Sequence, residues 1–262
     1  DGTVHLIFQP AEEDIGGARR MMDDGLFTRF PCDAVFALHN LPGLDVGRYL
    51  FREGPIMAAV DIARIGVKGR GGHGALPHLT ADPVVAAASL VVALQTIVSR
   101  NVDPVEAAVV SVGIMRAGDF PTVIPSAASL DVAIRSCSAT TRDLLQQRIL
   151  ELAPLQARSF GCIADVDYER GYPVTVNDPE QTRFARSVAV DQAGAERVAD
   201  LAKPMMISED FAFMLEDRPG CYFFVGNGPS ASLHDGGYDF NDAAIVPGVR
   251  YWMALIERYF AT

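Results

Sequence analysis

The amino-acid sequence predicts an α/β protein in two parts. A ferredoxin-like β-α-β-β-α-β insert over residues 59–170 interrupts an α/β layer domain built from residues 1–58 and 171–262. Three observations predict this. Between residues 59 and 170, strand-like alternation and helical apolar spacing follow one another in the order β-α-β-β-α-β. The flanking stretches are of another kind, with short apolar runs separated by helical segments. Asp82-Pro83 and Asp178-Pro179 place an acidic cap and a proline at helix starts, one in each part.

Taken in order, Val4-His5-Leu6-Ile7-Phe8 reads as a buried strand, with His5 in its core or at its edge. Pro10 ends that strand by removing a ladder donor. A helix is expected near 17–24, a strand over 34–38 and an extended segment over 47–51. The insert begins with a strand over 59–67 and a glycine-rich turn over 69–74. Asp82 caps a helix that runs to about residue 100, and strands follow over 107–115 and 129–135. A second helix over 140–160, capped by Thr140 or Thr141, leads to a closing strand over 163–168. Beyond the insert, helices are expected over 179–193, 208–215 and 247–260, with a strand over 221–225.

Composition narrows the function. The chain has 262 residues, 49% hydrophobic and 21% charged, the balance of ordinary globular material. Its formal net charge of −11 argues against a nucleic-acid partner. No apolar run approaches about 18 residues, so no membrane span is expected. Cys32, Cys137, Cys162 and Cys221 are far apart and form no Cys-x-x-Cys pair. That usage fits buried thiols in a reduced, cytoplasmic setting better than disulfides.

The chemistry concentrates in few residues. Glu12 and Glu13 sit side by side on the turn leaving the first apolar run, where open α/β sheets place ligands. A metal can take one carboxylate while its neighbour handles protons; a solvated helix start is the alternative. His39 and His234 also follow apolar strands, each at a loop position of the layer domain. Either alone is compatible with a structural or exposed role. With Glu13 they form a carboxylate–imidazole set that suits Zn²⁺, Mn²⁺ or Co²⁺. His73 stands in the glycine-rich turn of the insert, as a surface histidine or as one brought close to a ligand.

These residues carry a resemblance. Phe8-Gln9-Pro10-Ala11-Glu12-Glu13, Ala37-Leu38-His39-Asn40 and Gly71-Gly72-His73-Gly74 resemble motifs of the M20 peptidase family. So do Asp82-Pro83-Val84, Val123-Ile124-Pro125, Ser208-Glu209-Asp210-Phe211-Ala212 and Leu233-His234, in the family's order. The likeness is to its hippurate hydrolase, N-acyl-amino-acid amidohydrolase and auxin-conjugate hydrolase branch. It implies that 1–58 and 171–262 form the catalytic domain and that 59–170 is a lid and homodimerisation domain. It further implies Glu12 as general base and Glu13, His39 and His234 as metal ligands. His73 would stabilise the oxyanion, often across a dimer interface, and Arg135 would grip a substrate carboxylate. Arg135 reads equally as a surface arginine at a strand end.

Two departures from the family pattern stand out. Thr122 occupies the substrate-binding position where relatives usually carry Asn. A Cys-Gly-His motif expected ahead of Glu12 is not in the sequence, so a first portion of the catalytic domain is expected upstream of Asp1. The complete family site would hold two divalent ions of Zn, Mn, Co or Ni, and this chain one or none. Two functions follow: amide hydrolysis of small N-acyl amino acid conjugates, or a catalytically incomplete chain that keeps the lid and a partial metal site.

Overall fold

The computed structural model describes residues 2–13 and 16–261, and it divides into two units. The first comprises Asp1–Met57, Thr175–Met205 and Glu209–Thr262, and the second Ala58–Val174 with Met206–Ser208.

The first unit is organised by a four-stranded mixed sheet in the order Val35–Pro42, Gly220–Gly228, Tyr49–Phe51, Val198–Asp200. Gly220–Gly228 is buried along its whole length. Its odd and even side chains serve opposite faces, as a two-residue period requires. Cys221, Phe223 and Val225 pack with Ala185, Val188, Tyr251 and Leu255 from the helices Pro179–Ala193 and Ile245–Tyr259. Tyr222 and Phe224 pack on the other side with Phe27, Phe211 and Met214. A strand buried on both faces reads as a continuous apolar run, which is how Cys221 to Val225 appears in the sequence. Asp178 accepts from Gln181 N at 2.8 Å and caps the first of those helices as expected.

The first apolar run departs from expectation. Residues 4–8 join no strand pairing among the described residues, and Leu6 and Phe8 are 74% and 87% exposed. His5 is likewise exposed, set edge-on to Phe30. An apolar pattern specifies a strand only where a neighbouring chain answers its N–H and C=O groups, and none of the described strands does so here.

The second unit is a sheet in the order Ala108–Ala117, Ala127–Ser136, Ala59–Lys68, Ile163–Arg170, every neighbour antiparallel. The helices Pro83–Asn101 and Ala139–Arg158 supply Leu90, Leu94, Ile97, Leu145 and Ile149 to its core. Asp82 caps the first of them through Val84 N at 2.8 Å. The second is capped by Ser138, which accepts from Thr141 N, and not by Thr140 or Thr141. Pro83–Asn101 is long and apolar enough to cross a membrane by length and composition, contrary to the run-length expectation. Its Ala86, Ala87, Leu90, Leu94 and Ile97 are buried in the unit's core.

Two boundaries in the first unit also shift. The helix expected over 208–215 is Ala212–Asp217, because the Glu209 carboxylate turns back to accept from Phe211 N. The last helix starts at Ile245, entered through the turn Asp242–Ala244 that Asn241 caps. Pro247 then falls in the first turn, where a missing N–H breaks no helical bond.

Candidate active site

Glu12 and Glu13 lie on a turn directly after Ala11, whose φ of 51° is a left-handed value that non-glycine residues rarely adopt. His234 adopts the same region, with φ 64°. These are the two positive-φ residues other than glycine among the described residues; His234 is itself an expected site residue, and Ala11 directly precedes Glu12. Glu13 Oε2 and His234 Nε2 approach to 3.6 Å, with both side chains largely exposed. The His234 loop is closed at its base by buried Asn227, which donates to Asp239 O and accepts from Asn241 N. Tyr238 of that loop donates to Asn40 Oδ1 at 2.8 Å.

His39 lies inside the strand Val35–Pro42 and not at the expected loop position, because pairing with Gly220–Gly228 continues through it to Pro42. Its ring is 6.4 Å from those of both Tyr222 and Phe224. Its Nδ1 lies 2.6 Å from Asn40 O. A carbonyl oxygen can only accept, so Nδ1 carries the proton and Nε2 keeps a lone pair. That is the arrangement a metal ligand needs. His39 does not join Glu13 and His234 in one cluster of donor atoms, however. The group that closes within 4.8 Å among the described residues is Glu12 with Glu209 and Asp210.

Glu209 and Asp210 are buried, and sequence reasoning assigned them no role. The signal was available: an adjacent acidic pair, like Glu12-Glu13, set against the apolar residues Phe211 and Ala212. Glu209 Oε2 accepts from Tyr222 OH at 2.9 Å, and Asp210 Oδ2 accepts from Ala18 N at 2.8 Å. No Lys or Arg among the described residues pairs with either carboxylate. Burial, then the charges of Glu209, Glu13 and Asp210, push the Glu12 carboxyl up to about 7. Asp210 rises to about 6, again mainly through burial, with the Ala18 N–H opposing. Burial and Glu209 hold the Tyr222 phenol well above its ordinary range.

In the second unit, His73 and Thr122 are brought together. Gly72–His73 pairs with Val123–Ile124, and Gly74 N donates to Thr122 O at 2.8 Å. A Cβ on Gly74 would fall 2.9 Å from that oxygen, so glycine permits the approach. His73 Nδ1 accepts from Ala75 N at 3.1 Å, which places the ring proton on Nε2 as a donor, opposite to His39. Arg135 stands apart, paired with Val60 at the far end of the strand whose near end pairs Ala127 with Lys68. Its guanidinium donates to Met206 O at 3.0 Å and Ser208 Oγ at 3.4 Å.

The profile of peptidase family M20/M25/M40 matches residues 1–258. The chain belongs to that family. It is 38% identical over 259 residues to hippurate hydrolase of Campylobacter jejuni, covering 99% of this chain and 68% of that enzyme. It is 36% identical to N-acetyl-L-cysteine deacetylase of Bacillus subtilis, over 94% of this chain and 58% of that one. A crystal structure of a dinuclear metal-binding M20 peptidase from Bacillus subtilis superposes with a TM-score of 0.81 at 27% identity. It covers 97% of this chain and 64% of that one. The curated relatives matched are thus spanned over 58% to 68% of their length. These two relatives are named as a hydrolase and a deacetylase, and the solved neighbour as a dinuclear metal-binding peptidase.

Proposed function

We propose that the protein hydrolyses the amide bond of an N-acyl amino acid or a related small conjugate, with Glu12 as general base. The observation that carries this reading is the meeting of Glu13 and His234 at 3.6 Å, one residue after Glu12. Glu13, His39 and His234 present a carboxylate and two imidazoles, donors that suit borderline divalent ions such as Zn²⁺, Mn²⁺, Co²⁺ or Ni²⁺. A divalent ion held there would supply a Lewis acid for the scissile carbonyl and lower the pKa of the attacking water.

The chain's own residues do the rest. Glu12 takes the proton of the attacking water and returns it to the leaving amine nitrogen. A carboxyl raised to about 7 in the metal-free chain suits both transfers. His73, with its proton on Nε2, donates to the developing oxyanion. Thr122, beside His73, offers a hydroxyl to the substrate, and Arg135 offers a guanidinium to its carboxylate. Residues 59–170 act as the lid and the contact for a second copy in a homodimer. Four free cysteines favour a cytoplasmic setting.

The test is hydrolysis of a panel of N-acyl amino acids after loading with Mn²⁺, Zn²⁺, Co²⁺ or Ni²⁺. Glu12→Gln should lower kcat by about 10²–10⁴-fold, the usual worth of a general base. No turnover with any of these ions overturns the proposal.

A further inference from the structure

Asp210 reaches both flanks of the acidic turn. Its Oδ2 accepts from Ala18 N at 2.8 Å, on the C-terminal flank. Its Oδ1 contacts Gln9 Nε2 on the N-terminal flank, and the same amide lies 3.4 Å from Glu209 Oε1. The flanks themselves touch: a Cβ on Gly17 would fall 1.8 Å from Pro10 O. Between them stands Ala11 with its left-handed backbone, which surrounding contacts must hold in place. Behind Asp210, Glu209 binds Phe211 N at 3.1 Å and Tyr222 OH at 2.9 Å, tying the acidic pair to the fully buried Gly220–Gly228 strand. That strand also lies alongside the one carrying His39, with His39 opposite Phe224.

We propose that Asp210 is a positioning residue: its carboxylate clamps Gln9 to Ala18 and so fixes the turn that presents Glu12 and Glu13. Glu209 braces Asp210 from behind, and Gln9 is its partner. The inference rests on the reading of Glu12 and Glu13 as site carboxylates. A carboxylate is required because both partners are donors. An amide at 210 would offer one acceptor oxygen and turn its own N–H groups toward either Ala18 N–H or Gln9. The neutral Gln9 amide suits the partner position, as its two N–H groups divide between two carboxylates.

Asp210→Asn, which keeps the volume, tests the clamp in the full chain, and Gln9→Leu tests it from the other side. Hydrogen exchange should accelerate about tenfold or more over residues 9–13 and 16–18 in both variants, with the Gly220–Gly228 strand unchanged. In turnover of an N-acyl amino acid, kcat should fall about 10–100-fold, as for other groups that orient a site, with KM within about threefold. Unchanged exchange over 9–13 and 16–18 overturns the proposal, as does acceleration spread equally over the Gly220–Gly228 strand. A raised KM at unchanged kcat overturns it too. If Asp210→Asn does not fold, Gln9→Leu decides alone. A wild-type chain without turnover counts against the hydrolase reading and leaves the clamp to be judged by exchange.

Discussion

With divalent metals chelated, the protein should lose stability as pH rises from about 4.5 to about 7, and Glu12 should account for a separable part of the loss. The cause is burial of the carboxyl beside Glu209, Glu13 and Asp210, which raises its pKa from 4.5 to about 7. An acid raised in the folded state still holds its proton where the unfolded chain has released it. The native state therefore binds more protons inside the window, and stability falls with pH, opposite to a carboxylate held in a salt bridge. One proton corresponds to a slope of at most about 1.4 kcal/mol per pH unit, reduced because Glu12 is only half-buried and partly screened by solvent. Asp210, raised from 3.8 to about 6, acts in the same direction over a lower range. Glu12→Gln keeps the shape and removes the Glu12 share. The assay is urea unfolding in EDTA at half-unit steps between pH 4.5 and 7.5, comparing wild type with Glu12→Gln. The wild type should weaken relative to the variant across the window and level off above pH 7. A difference that stays flat, or that favours the wild type as pH rises, refutes the argument.

Other perturbations have equally direct readouts. Asp61 is buried and accepts from Arg142 Nε at 3.0 Å, Arg142 Nη2 at 2.5 Å, Tyr168 OH at 2.9 Å and Gly171 N at 3.2 Å. Asp61→Ala should cost about 3–5 kcal/mol in denaturant unfolding by stranding the Arg142 charge, while Asp61→Leu with Arg142→Met should recover most of that loss. Gly17→Ala should destabilise by about 1–3 kcal/mol, because its Cβ would meet Pro10 O and force the two flanks apart; an unchanged melting temperature would contradict that contact. Glu13→Ala and His234→Ala should each weaken Mn²⁺ binding by at least about tenfold in calorimetric titration, and equal binding in both variants would remove them from the metal site.

Much of the fold was legible because its signals are local. The helix over 179–193 was readable from Asp178-Pro179, since a cap and a fixed φ act within one turn. The strand Ala59–Lys68 of the second unit was readable from alternation, because every second side chain along it is buried and the period is two. The misread places share a cause. Residues 4–8 have the pattern of a strand, yet pairing depends on a neighbour that pattern does not encode. The 208–215 helix lost its first turn to the Glu209 side chain, a competition between side chain and backbone that propensity does not weigh.

By itself, the sequence determined most of the helices and sheet strands, the acidic pair Glu12-Glu13 and the histidines worth watching, because caps, periods and motifs are written in neighbouring residues. Tertiary structure alone decided which groups meet. It brought His234 to Glu13 from the other end of the chain and set Glu209 and Asp210 against Glu12. It also gave His39 and His73 opposite ring protonation through their backbone partners. Those outcomes depend on distances of a few ångströms between segments remote in sequence. Burial and hydrogen bonding act over that range, and spacing along the chain does not record it.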